Sequence, residues 1–85
     1  MHRDRVCLPE PAAGRVRELL TEWIDRRGIH QTCTALRMSN TEIRFDQRAT
    51  RPLTFRQADK FVTRLYHPGL WHTDPVLAEW YEAAA

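Results

Sequence analysis

The sequence predicts an all-α fold: a compact bundle of about five short helices containing a helix-turn-helix. Three observations predict it. Apolar residues recur at helical spacing, most clearly at Val16, Leu19, Leu20, Trp23 and Ile24. Polar residues suited to N-caps stand before the later apolar stretches, at Ser39, Thr54 and Asp74. No stretch alternates apolar and polar residues over the length of a strand. At 85 residues, the chain suits one small domain with one core.

Taken in order, residues 1–11 are charged and carry Pro9 and Pro11, so they are expected as a flexible N-terminal arm on a domain spanning 12–85. Pro11 can open the first helix, which the apolar spacing carries from about 12 to 27. Gly28 is placed to close that helix, with Ile29 packing back. Trp23 belongs with the core face. The segment 30–37 is short, with Cys33, Leu36 and the following Met38 as its apolar contacts. Ser39 with Glu42 three residues on makes a capping box for a helix over 40–48. Thr54 and Gln57 repeat the device for a helix burying Ala58, Phe61, Val62 and Leu65. Pro68-Gly69 interrupts the chain. Asp74 with Pro75 then opens a C-terminal helix over 74–84, holding Val76, Leu77, Trp80 and Tyr81.

The formal net charge of +2 excludes little, but its distribution is informative. Between Arg37 and Arg64, seven basic residues against Glu42, Asp46 and Asp59 leave a net +4. From Tyr66 onward only Asp74, Glu79 and Glu82 are charged, a net −3. Positive charge gathered on one segment is what neutralising a phosphate backbone requires. A solvated mixed-charge surface would read the same way. Lys60 is the only lysine. Arginine grips phosphate or guanine with two hydrogen bonds at once, although GC-rich coding also favours it.

The capped helix over 40–48 holds the candidate site. Projected at about 100° per residue, Ile43 points inward and Thr41, Arg44, Phe45 and Arg48 spread over the opposite side. Asn40 lies at the N-terminal edge, where the helix dipole favours a phosphate, and both Asn40 and Thr41 also suit a purely capping role. Arg44 and Arg48 are spaced to reach guanine edges or flanking phosphates. Phe45 suits contact with a thymine methyl or packing against the C-terminal segment. Gln31 in the preceding helix, with Arg51 and Arg56 around the next turn, completes the set as candidate backbone contacts. Arg3 and Arg5 would let the arm enter the minor groove.

These residues resemble the helix-turn-helix of the lambda-repressor-like (Cro and Xre type) DNA-binding domains. The family pattern is an alanine, a Gly-Val-Ser turn, an inward isoleucine or valine, a basic loop ending in proline, and a helix beginning Ala-Asp. Here Cys33 stands for the alanine, Arg37-Met38-Ser39 for the turn and Ile43 for the inward aliphatic. Arg51-Pro52-Leu53-Thr54 and Ala58-Asp59 match the later part. The resemblance covers about two fifths of the chain, and the style, including Leu70-Trp71-His72-Thr73-Asp74-Pro75, is similar to small regulators of actinobacteria and their phages. Three departures stand out. Arg37 replaces the turn glycine, so the turn must accommodate a side chain. Asp46 falls where a second buried apolar residue is expected, and a carboxylate there needs a partner such as an arginine. Ala49 replaces the loop glycine.

The resemblance implies a sequence-specific regulator of double-stranded DNA: a phage repressor, a Cro-like protein or an excision-control factor. Its partner would be DNA, with a homodimer through the C-terminal helix on a palindromic site. The same fold serves as a protein-interaction module in a second reading: an antitoxin, an antirepressor or a phage assembly adaptor. Catalysis is not expected, because no nucleophile–histidine arrangement, phosphate loop or HExxH motif is present. Cys7, Cys33 and the four histidines lack the paired spacing of a zinc site, so no metal or other cofactor is expected. No signal peptide or long apolar stretch appears, which points to a cytoplasmic protein, in a bacterium or a phage-infected host, with neither a membrane nor a small-molecule substrate as partner.

Overall fold

Six α-helices follow one another in a computed structural model that describes residues 3–48 and 51–84, without the Arg3 side chain: α1 (Ala12–Arg27), α2 (Ile29–Leu36), α3 (Asn40–Gln47), α4 (Phe55–Leu65), α5 (Leu70–Thr73) and α6 (Pro75–Ala84). A single 3-10 turn at Arg3–Arg5 precedes them. The all-α bundle is the fold class read from the sequence. Four of its helices match the expected boundaries to within a residue or two. The short α5 inside the Pro68-Gly69 break is the addition. Ala49, expected in place of a loop glycine, lies outside the described residues.

Local chemistry explains the ends of these helices. Gly28, at φ 86°, closes α1 and at once leads into α2, a conformation that favours glycine. Ser39 caps α3: its Oγ accepts from Glu42 N–H at 3.2 Å, and Glu42 Oε1 accepts from Ser39 N–H at 3.2 Å. Thr54 caps α4 by accepting from Gln57 N–H at 3.2 Å. Asp74 caps α6 through Oδ2, which accepts from Leu77 N–H at 3.1 Å. A cap that sequence reading missed is Glu10, whose Oε2 accepts from Gly14 N–H at 3.0 Å. A Cβ on Gly14 would come within 2.6 Å of that oxygen, so a larger residue there would push the exposed Glu10 carboxylate aside.

One core gathers the inward faces. Val16, Leu20, Leu36, Ile43, Leu53, Ala58, Val62 and Leu77 are all at or below 1 % exposure. Phe55, Trp71, Trp80 and Tyr81 form an aromatic end to it, with Phe55 and Trp71 ring centroids 4.9 Å apart. Asp74 ties α1 to α6 by accepting from Arg15 Nε at 2.9 Å, a bond that holds the Arg15 guanidinium above its ordinary pKa. Trp23 is only half-buried at the rim, where the Arg27 guanidinium stands 5.7 Å over its ring.

The segment 1–11 corrects the arm expected from composition. Over residues 6–8 it lies against the body: Leu8 N–H donates to Leu53 O at 2.8 Å, and Phe55 N–H donates to Val6 O at 2.7 Å. Leu8 is itself a core residue, and the turn at Arg3–Arg5 packs on α4. The physical reason is that Leu8 finds an apolar slot, and the backbone at Val6 and Leu8 pairs with the chain leading into α4.

Candidate nucleic-acid interface

The candidate surface is built on α2, the three-residue turn Arg37–Ser39 and α3. The turn reverses the chain because Arg37 adopts a left-handed conformation, φ 53° and ψ 46°, at the end of α2. This is the position where the sequence departs from glycine, and the backbone makes the glycine-like turn all the same. Met38 and Leu36 are buried on either side of the exposed Arg37, and their burial holds the turn closed.

Ile43 is fully buried and orients α3. Thr41, Phe45 and Arg48 are exposed, as the projection expects, and Asn40 is exposed at the N-terminal edge. Phe45 is 46 % exposed, the largest apolar exposure among the described residues. Arg44 differs from expectation. It is half-buried, and its Nη1 donates to Gln47 Oε1 at 2.6 Å, while Gln47 Nε2 donates to Thr21 Oγ1 on α1 at 3.2 Å. Its guanidinium is therefore drawn toward α1 by a side-chain acceptor three residues along the same helix.

Arg51 is corrected more strongly. Asp46 is 1 % exposed, and the partner its burial demands is Arg51. Arg51 Nε donates to Asp46 Oδ1 at 3.0 Å and Nη2 to Oδ2 at 3.2 Å, a two-pronged pair, and Gln57 Nε2 adds a third bond at 3.3 Å. The bonds to Asp46 hold the Arg51 guanidinium above its ordinary pKa. Arg17 joins from α1, donating to the carbonyls of Asp46 at 3.0 Å and Arg51 at 3.2 Å. Arg51 thus closes the fold around a buried carboxylate, with its Nε and Nη2 donors committed to Asp46.

Glu42 is fully exposed, and bonds from Ser39, the backbone N–H first, hold its carboxyl below the usual carboxylate range, with Arg51 and Lys60 adding a weaker pull. Arg56 is exposed at the start of α4. Gln31 is exposed on α2, where it lines a shallow groove with Trp23, His30, Thr34 and Ala35; no α3 residue lines that groove. The structure therefore brings Asn40, Thr41, Arg44, Phe45 and Arg48 together on α3. Arg56 and Gln31 stand on separate elements. Sequence reading did not include Arg37, Lys60 and Arg64 among the site residues. The four-residue spacing of Arg56, Lys60 and Arg64 is the signal that puts them on one ridge of α4.

Among the described residues no group of three or more His, Cys, Asp or Glu could hold a metal ion, and no helix is long and apolar enough to cross a membrane. Compared with known proteins, the chain matches no family model, no curated protein and no solved structure.

Proposed function

We propose that this protein is a sequence-specific double-stranded DNA-binding regulator of transcription, of the phage repressor, Cro-like or excision-control kind, and that α3 reads the major groove. The observation that carries the reading is the exposed face of α3, where Asn40, Thr41, Phe45 and Arg48 project from a short helix capped by Ser39 and pinned by the buried Ile43. A helix presented in this way fits the groove, and these side chains suit phosphate, base-edge and thymine-methyl contacts. The lambda-repressor-like pattern in the same residues supports it. Arg44 contributes after leaving Gln47, a rotation about its own side chain. Arg48 has no carboxylate within 4.0 Å among the described residues and makes the stronger candidate.

The mechanism is occupancy of an operator in the cytoplasm, which blocks or recruits polymerase, with no small-molecule chemistry. Two copies on a two-fold site would double the sequence read. Leu77 is fully buried within the monomer, so a dimer through α6 would rest on the half-exposed Val76, Trp80 and Tyr81. One observation favours the protein-interaction reading instead: Phe45 is a large apolar side chain, 46 % exposed, on the same face.

Fluorescence-anisotropy binding to a mixed duplex library at two salt concentrations tests the proposal, with wild type beside Arg44→Ala/Arg48→Ala. Salt-sensitive binding that enriches particular sequences and is lost in the variant supports a DNA reader. A folded protein that binds no duplex at low salt overturns it and favours a protein partner.

A further inference from the structure

Beyond the α3 face, the basic side chains gather along α4. Arg56, Lys60 and Arg64 share one ridge and line a shallow groove with Gln57, Asp59 and Thr63. That ridge runs beside the turn between α2 and α3. Gln57 Nε2 donates to Met38 Sδ at 3.2 Å, Lys60 pulls weakly on the Glu42 carboxyl, and Arg64 Nη1 reaches the Ala35 carbonyl at 3.5 Å. Arg37, exposed in its left-handed conformation, lies between Ala35 and Met38 in the chain. Among the described residues, Arg37, Arg56, Lys60 and Arg64 have no carboxylate within 4.0 Å, whereas Arg17 and Arg51 each have one and Arg15 has two.

The nearby acids offset this cluster only in part, and among the described residues none of them stands within 4.0 Å of its cations. Glu42 is engaged in its cap, and Asp59 Oδ1 accepts from Trp71 Nε1 at 2.9 Å and from Thr63 Oγ1 at 3.2 Å. Asp4 is exposed on the 3-10 turn that packs on α4, and the other exposed acids include Glu18, Glu22 and Asp25 on α1 and Glu79 and Glu82 on α6. An excess of positive charge on one surface suits a polyanion. Arg37 adds a separate indication, because a non-glycine residue in the left-handed region is a conformational cost that functional surfaces often carry.

We propose that Arg37, Arg56, Lys60 and Arg64 form a phosphate track along α4, gripping the sugar–phosphate backbone beside the groove read by α3. The proposal rests on the reading of α3 as a DNA reader and extends its footprint. Phosphates repeat at every base pair, so the track adds affinity and fixes register without adding sequence preference. An acidic protein segment would also meet the charge. Phosphate is favoured because three of the four groups are guanidinium forks, which match its oxygens two at a time. It is favoured also because the ridge runs beside the turn that leads into α3, where Gln57 Nε2 donates to Met38 Sδ, two residues before Asn40.

The test measures duplex affinity against salt concentration for the full chain, using a mixed-sequence duplex library. Wild type is compared with Arg37→Asn/Lys60→Gln/Arg64→Gln and with Lys60→Glu, and unfolding curves establish that each is folded. Asparagine tolerates the left-handed turn. The expected result is a slope of log affinity against log salt shallower by about 2–3 in the triple variant, about 0.9 for each lost phosphate contact. Lys60→Glu should weaken binding to every duplex alike, and the enriched sequences should stay those of wild type. If the folded triple variant keeps the wild-type slope while Arg44→Ala/Arg48→Ala loses binding, the track is overturned and the α3 reading stands; the ridge then suits an acidic protein segment. If wild type shows no salt-sensitive binding at all, both are overturned.

Discussion

Arg37 and Asp46 are the two residues at which the chain departs from what its local structure would prefer, and each departure has a visible consequence. Arg37 takes a left-handed backbone at φ 53°, which costs a residue bearing a Cβ about 1–2 kcal/mol. Replacing it with glycine removes that cost but gives the unfolded chain more freedom, so Arg37→Gly is expected to stabilise the fold by about 0.5–1 kcal/mol in urea unfolding. A destabilised variant would mean that the arginine side chain has a structural role. Asp46 is a carboxylate at 1 % exposure, answered by Arg51 and Gln57. Removing one partner of a buried pair typically costs about 3–5 kcal/mol. Arg51 is 48 % exposed, so water partly replaces it, and Arg51→Ala is expected to cost about 2 kcal/mol. A loss under about 0.5 kcal/mol, the level of an exposed pair, would show that water serves Asp46 equally well.

At the scale of elements, α3 is short and depends on its ends. The reciprocal bonds between Ser39 and Glu42 satisfy two donors that the helix itself leaves unpaired. Ser39→Ala should therefore destabilise by about 1 kcal/mol, read as a lower urea midpoint with an unchanged slope. Glu42 adds a pH dependence. Its folded carboxyl is held below the ordinary range by Ser39, so the ionised form is the one favoured by folding. The stability it supplies is fully present above the unfolded glutamate pKa of about 4.3 and is lost as pH falls through the lower folded value. Glu42→Gln keeps an acceptor for the cap but no longer titrates. Stability profiles of the two proteins should run parallel above pH ~5 and then converge as acid is added, the wild type falling more steeply. Parallel profiles throughout would remove Glu42 from the acid response.

For the whole molecule, the unexpected contribution is the N-terminal segment. Leu8 enters the core, and backbone bonds join residues 6–8 to 53–55, the entry into α4. Leu8→Ala is expected to cost about 2–4 kcal/mol in thermal or denaturant unfolding. A flexible arm would show no change. The same docking sets the 3-10 turn at Arg3–Arg5 against α4. The charge is segregated on this scale as well. Arginines paired with acids or backbone, such as Arg15, Arg17 and Arg51, fasten elements together. Arg37, Arg48, Arg56 and Lys60, by contrast, have no carboxylate within 4.0 Å among the described residues.

By itself the sequence determined the α1, α3, α4 and α6 helices, their caps at Ser39, Thr54 and Asp74, the inward turn of Ile43, and the need of Asp46 for a cationic partner. These follow from periodicity and from bonds spanning three or four residues, which are written locally in the chain. Tertiary structure alone decided which arginine answers Asp46, that Arg44 leans on Gln47 toward Thr21, that Leu8 is a core residue, and that Trp71 bonds Asp59. An arginine's reach spans many candidate acids, and the short Val6-Cys7-Leu8 stretch before Pro9 carries no period. Their partners are fixed only when helices distant in the chain are packed against one another, because packing is what removes water from one carboxylate and leaves another in it.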